Sequence, residues 1–268
     1  MDVVILLGFA AAIIIGVSLG LIGGGGSILT VPVLVYILGV DPVLATAYSL
    51  FVVGTTSLVG AANYMKQGLV DYRTALVFAI PSFTAVFLTR KFLVPWLPDP
   101  LWTVGDVVLT KNIGIMVFFA LIMLAASFSM IRNKKCVDCD ENAEVKFNIP
   151  MIALEGSVVG LVTGIVGAGG GFLIIPALVL LAKLPMKLAV GTSLLIIAAK
   201  SLIGFLGDVS NQPIDWQMLL IFTGLSVVGI FIGSALSKKI NEKALKTGFG
   251  WFVLLMGIYI ITKELMNV

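Results

Sequence analysis

The sequence predicts an all-α polytopic membrane protein built from two inverted-topology repeats, each a glycine-broken re-entrant helix pair followed by three transmembrane helices. Three observations carry this reading. Of 268 residues, 59% are apolar and only 12% charged; the second half repeats the first at a fixed offset; and the basic residues divide unevenly between alternate loops.

A water-soluble domain carries roughly a quarter charged residues, and a chain with mean hydropathy +1.14 cannot make a soluble surface. The apolar runs are continuous and do not alternate with period two, so they read as helices and not as barrel strands. The first residues, Met1-Asp2-Val3, lack a basic leader region and no small-residue cleavage site follows, so the first helix is expected to be retained. The net charge is +3, and the basic residues sit in short loops beside spans, where they report orientation and not nucleic-acid binding. The expected surroundings are therefore a lipid bilayer, with no nucleic acid as partner. The expected location is the cell membrane, multi-pass, which is the inner membrane if the source is a bacterium.

Sliding the sequence against itself by 144 positions brings Gly20, Gly23, Gly25, Gly26, Leu29 and Pro32 onto Gly164, Gly167, Gly169, Gly170, Leu173 and Pro176. Downstream, Ala45, Ser49, Leu50, Ser57, Gly60 and Asp71 fall on Ala189, Ser193, Leu194, Ser201, Gly204 and Asp215. This order marks an internal duplication, a plan common among secondary transporters. The repeats are placed at 1–131 and 149–268, joined by a cytoplasmic linker loop at 132–148, the one clearly polar stretch.

In each repeat an apolar run (3–22; 149–166) meets a glycine cluster and a shorter run (27–39; 171–182), then three further spans. Those are expected at 43–62, 74–95 and 113–131, and at 188–206, 216–236 and 248–264. A run of about a dozen residues makes roughly 18 Å of helix, against a hydrocarbon core of about 30 Å. It either extends the first span or turns back at the glycines, and loop charge separates the two. If it extends the span, the halves are parallel and Lys plus Arg outside the spans divide seven to nine. If it turns back, the halves are inverted and one side collects Lys66, Arg73, Arg132, Lys134, Lys135, Lys146, Lys183, Lys187, Lys238, Lys239, Lys243 and Lys246, leaving Arg90, Lys91, Lys111 and Lys263 on the other. Twelve against four follows the positive-inside rule, so the inverted arrangement is preferred, with both termini outside.

Interior glycine costs roughly 1 kcal/mol relative to alanine in a helix, so the clusters Gly23-Gly24-Gly25-Gly26-Ser27 and Gly167-Ala168-Gly169-Gly170-Gly171 read as breaks. A break within the bilayer bares backbone N–H groups at the start of the next half-helix, and with its dipole these form an anion site. Gly24, Gly25, Gly26, Ser27, Gly169, Gly170 and Gly171 are therefore candidate substrate-binding residues. No Lys-Ser or Lys-Thr follows at P-loop spacing, so nucleotide binding is rejected. By contrast, the four-residue spacing of Ala12, Gly16 and Gly20, and of Gly156, Gly160 and Gly164, reads as a ridge for helix packing.

Lys200 is the one basic residue well inside an expected span, where an ionisable group costs about 2.5 kcal/mol or more. Ser193 lies two turns before it on nearly the same face, and Ser49 with Thr56 repeats that spacing in the first half. These four are candidate substrate-binding residues lining a path between the halves. Glu155 and Asp208 are candidates for proton coupling or for pairing with Lys200, while Asp71 and Asp215 read as helix caps. Cys136 and Cys139 supply two of the four ligands a structural zinc needs, so a metal would require a homodimer sharing one. They read as part of a solvated loop, and neither metal nor cofactor is expected.

The glycine clusters, the duplication and the phrase Ala189-Val-Gly-Thr-Ser193-Leu resemble the sulfite exporter TauE/SafE family over nearly the whole chain. The resemblance implies a transporter, not an enzyme, moving a small sulfur-containing anion such as sulfite or an organosulfonate outward. The rival reading is an intramembrane redox or sulfur-handling enzyme built on the Cys136/Cys139 pair, which would have no histidine to work with.

Overall fold

Helix is the conformation that satisfies every backbone group within its own segment, and the computed structural model is built accordingly. It describes residues 3–24, 26–104, 107–132, 149–167, 170–180, 184–209, 211–237 and 242–266. The first half runs α1 (Val3–Ile22), α2 (Ser27–Pro32) continuing as a π-helical turn (Val33–Ile37), α3 (Pro42–Lys66) and α4 (Tyr72–Leu88). A second π-helical turn (Thr89–Leu93) and α5 (Val94–Trp96) prolong α4; a two-stranded antiparallel hairpin, β1 (Trp102–Val104) and β2 (Val107–Leu109), leads to α6 (Lys111–Arg132). The second half runs α7 (Ile149–Val166), α8 (Gly171–Leu180), α9 (Met186–Asp208), α10 (Trp216–Ser237) and α11 (Glu242–Met266). Among the described residues four helices, Pro42–Lys66, Tyr72–Trp96, Leu188–Asp208 and Trp216–Leu236, are long and apolar enough to cross a membrane, with shorter apolar helices before and between them. The protein is an all-α polytopic membrane protein, its small hairpin aside.

The short run after the first glycine cluster does not prolong α1. A Cβ added to Gly26, at the start of α2, would strike Ser18, Leu19 and Ile15, whereas one added to Gly8, near the start of α1, would strike Leu38 beyond the π-helical turn. The chain therefore doubles back along α1. Tyr36 fastens its far end: the hydroxyl donates to Glu264 Oε1 at 2.7 Å, and Lys263 Nζ stands 4.3 Å from the ring centroid.

The helix contacts run between the halves. Gly16 and Gly20 of α1 let Ser226, Gly229, Ile230 and Ser234 of α10 approach, and Gly156, Gly160 and Gly164 of α7 do the same for Phe78, Ser82 and Thr89 of α4 and its π-helical extension. The small-residue ridge expected from the four-residue spacing is thus the seam of two equivalent, parallel helix pairs. The equivalent helices α3 and α9 instead lie antiparallel, with Gly54 against Leu202, Gly60 against Leu194 and Gly191 against Tyr64. They form the centre, while α1, α4, α7, α10 and α11 turn Leu6, Ile14, Leu76, Ile80, Leu154, Leu220, Phe231 and Leu255 outward.

Hydrogen bonds repeat the duplication. The backbone N–H of Asp71 donates to Thr192 Oγ1 at 2.9 Å, and that of Asp215 donates to Tyr48 Oη at 2.7 Å; Tyr48 and Thr192 are 144 positions apart, as are the two aspartates. Both aspartates also cap their helices, Asp71 accepting from the N–H of Arg73 and Thr74 and Asp215 from that of Met218.

Candidate functional site

The two glycine turns meet between α3 and α9. A Cβ at Gly24 would run into Cα of Gly171, and one at Gly171 into Cα of Gly24, so backbone touches backbone at the junction of the halves. The turns begin at equivalent residues in the left-handed region, Gly23 with φ 80° and Gly167 with φ 71°, which an L side chain adopts only under strain. Ser27, buried, donates its hydroxyl to Gly24 O at 2.7 Å and so closes the first turn. Gly25 and Gly169 lie outside the described residues, as do Cys136 and Cys139.

Helix α9 passes both turns. A side chain at Gly23 would come within 2.9 Å of Val190 and 3.4 Å of Ser193 Oγ, one at Gly171 within 2.6 Å of Ile197, and one at Gly170 within 2.6 Å of Lys200 Nζ. Ser193 and Lys200 therefore share a face, as their spacing requires, but each serves a different turn. Ser193 donates to Val190 O at 2.8 Å. Lys200 is 1% exposed and donates to Thr163 Oγ1 at 3.2 Å; among the described residues no carboxylate pairs with it, and Asp208 pairs with Arg90 instead. On the first-half counterpart α3, Ser49 and Thr56 are fully buried and their hydroxyls have no hydrogen-bond partner.

Asp208 does not reach Lys200. Its Oδ2 lies 3.5 Å from Nη1 of Arg90, both side chains being buried. Glu155 is half-buried on α7. Among the described residues no group of three or more Cys, Asp or Glu gathers to hold a metal.

Three residues at the site carry no mark in the sequence reading. Arg90, which falls inside the span expected at 74–95 but is counted only among the charges of one side, is fully buried in the π-helical turn and donates from Nη1 to Thr46 Oγ1 at 2.8 Å. Thr46 stands against Gly167, and Thr163 against Gly170. The usable signal was the sequence around Arg90: Phe87-Leu88-Thr89 before and Phe92-Leu93-Val94 after leave the basic pair flanked by apolar residues within the expected span 74–95, as Lys200 is within its own.

A family model described as sulfite exporter TauE/SafE matches residues 8–260. A probable membrane transporter protein of Xylella fastidiosa (strain 9a5c) is 29% identical over 94% of this chain and 92% of its own. The probable membrane transporter protein YunE of Bacillus subtilis is 26% identical over 97% of this chain and all of its own, and a probable membrane transporter protein of Methanocaldococcus jannaschii is 26% identical over 91% and 87%. No solved structure matches the chain significantly. The chain is a membrane transporter, and it belongs to the sulfite exporter TauE/SafE family.

Proposed function

We propose that this transporter exports a small sulfur-containing anion, sulfite or an organosulfonate, through a site near the membrane midplane where the two glycine turns meet. One observation carries the reading: backbone-to-backbone contact of Gly24 with Gly171 beside Lys200, a buried cation that no carboxylate among the described residues neutralises. In a low-dielectric path such a charge raises the local anion concentration, and the start of the ten-residue α8 adds the positive end of a helix dipole. Gly24 to Ser27, Gly169 to Gly171, Ser193 and Lys200 bind the anion in this reading, and the unpartnered hydroxyls of Ser49 and Thr56 line the approach. The family's name supports the sulfur cargo.

The repeats 1–131 and 149–268 are proposed to be inverted across the membrane, with 132–148 as the cytoplasmic linker. Support comes from α3 and α9, equivalent helices that lie antiparallel; repeats of like orientation would carry them across in the same direction. Glu155 and Asp208 are the carboxylates available for proton coupling. A potential negative inside drives each exiting charge by about 2.3 kcal/mol per 100 mV, so export needs no nucleotide. The test is efflux from proteoliposomes loaded with sulfite, sulfate, sulfoacetate, taurine or thiosulfate. Sulfite or a sulfonate should leave fastest, and faster with the interior negative; the reading fails if none of them leaves faster than from protein-free vesicles.

A further inference from the structure

Arg90 carries a pattern that neither the glycine turns nor Lys200 explains. Its side chain is fully buried, and only Nη1 is engaged, by Thr46 Oγ1 at 2.8 Å and by Asp208 Oδ2 at 3.5 Å. Nε and Nη2 have no hydrogen-bond partner. Leaving donors of a buried charged group unfilled is costly, and the two unfilled nitrogens are not scattered: together they form one edge of the planar guanidinium, with two parallel N–H groups. That edge matches two oxygens carried on one central atom. Nη2 is turned to the second glycine turn, because a Cβ at Gly167 would come within 2.5 Å of it. A glycine there leaves room for the edge and for whatever binds it.

We propose that the Nε–Nη2 edge of Arg90 is a fork that grips two oxygens of the transported anion at the second glycine turn. This rests on the anion-transport reading above and adds to it a substrate class: an anion with at least two oxygens on one atom, such as sulfite, a sulfonate or a carboxylate, in preference to a halide. Asp208 is a positioning residue, holding the guanidinium from its Nη1 side and balancing its charge. Lys200, at Gly170 three residues along the same turn, is a compact point charge without the fork's geometry. Two cations thus flank one turn, whereas their equivalents at the 144-residue offset, Ser234 for Arg90 and Thr56 for Lys200, carry no charge. A fully buried fork is reached when the halves rock apart, as alternating access about a fixed central site entails.

The experiment is a thermal-shift titration of the purified full-length protein in detergent with sodium sulfite, sulfoacetate, acetate and chloride. It compares wild type, Arg90→Lys, and the double variant Arg90→Met with Asp208→Asn, which strands no charge. Arg90→Lys should melt near the wild-type temperature without added anion, bind two-oxygen anions about tenfold or more weakly, and respond to chloride unchanged. The double variant should fold and lose the response to two-oxygen anions. Wild-type affinity in either variant overturns the fork, and so does loss of fold in both, which would make Arg90 a structural ion-pair residue. If wild type binds acetate but no sulfur anion, and Arg90→Lys loses it, the sulfur cargo falls and the fork stands; if wild type binds no two-oxygen anion, both fall.

Discussion

Lys200 and Arg90 are two buried cations beside one turn, yet only the first was legible in the sequence. Lys200 stands in the middle of an apolar run, where a lone charge has no loop to belong to. Arg90 stands at the end of one, next to Lys91, and the loop-charge count absorbed it. Taking Arg90 out of that count leaves twelve basic residues against three, four less one, so the same inference survives the misplacement. The contact of Asp208 with Arg90 instead of Lys200 could not be read either, because it depends on how α4 and α9 pack. Since no carboxylate among the described residues pairs with Lys200 and Asp208 pairs with Arg90, Lys200→Met strands no ion-paired acid. We expect Lys200→Met to keep its thermal stability in detergent and to lose most sulfite flux. A melting temperature far below wild type, with normal flux per folded molecule, would assign the lysine to structure.

At the scale of elements the glycines fall into two classes, and spacing told them apart. Four-residue spacing along one helix face gave the seam between α1 and α10, and clustering gave the turns. Gly16→Leu should destabilise the protein by about 1–3 kcal/mol, the range for overpacking, because its side chain would meet the backbone of Ser226 and Gly229. Gly224→Ala on α10 is the control, with nothing within 4 Å of the added Cβ, and should leave stability unchanged or raise it by up to about 1 kcal/mol through helix propensity. Urea titration in detergent compares the two, and equal midpoints would refute the seam. Helix limits were legible where composition changes with conformation, as for 74–95 against the apolar helix Tyr72–Trp96. They were not where a polar turn stays helical: α11 starts at Glu242, not near 248, because hydropathy does not register a helical turn of Glu, Lys and Thr. The hairpin was overlooked although Trp102-Thr103-Val104 and Val107-Val108-Leu109 are strand-prone runs separated by Gly-Asp.

For the whole molecule, the duplication was readable because equal residues recur at one offset, and the antiparallel seating of α3 on α9 was not, because it is a contact between distant segments. The reading of two inverted halves rests on that seating together with loop charge, and it places both termini outside and the loops beside Lys66 and Lys239 together in the cytoplasm. The most direct measurement replaces Gln67, Lys239 and Asp99 one at a time by cysteine in a protein lacking Cys136 and Cys139. Each variant is labelled with a membrane-impermeant maleimide in right-side-out and in inverted vesicles. Inverted halves require cysteines at 67 and 239 to react only in inverted vesicles, and the one at 99 only in right-side-out vesicles. Labelling of 67 and 239 from opposite faces would contradict the account.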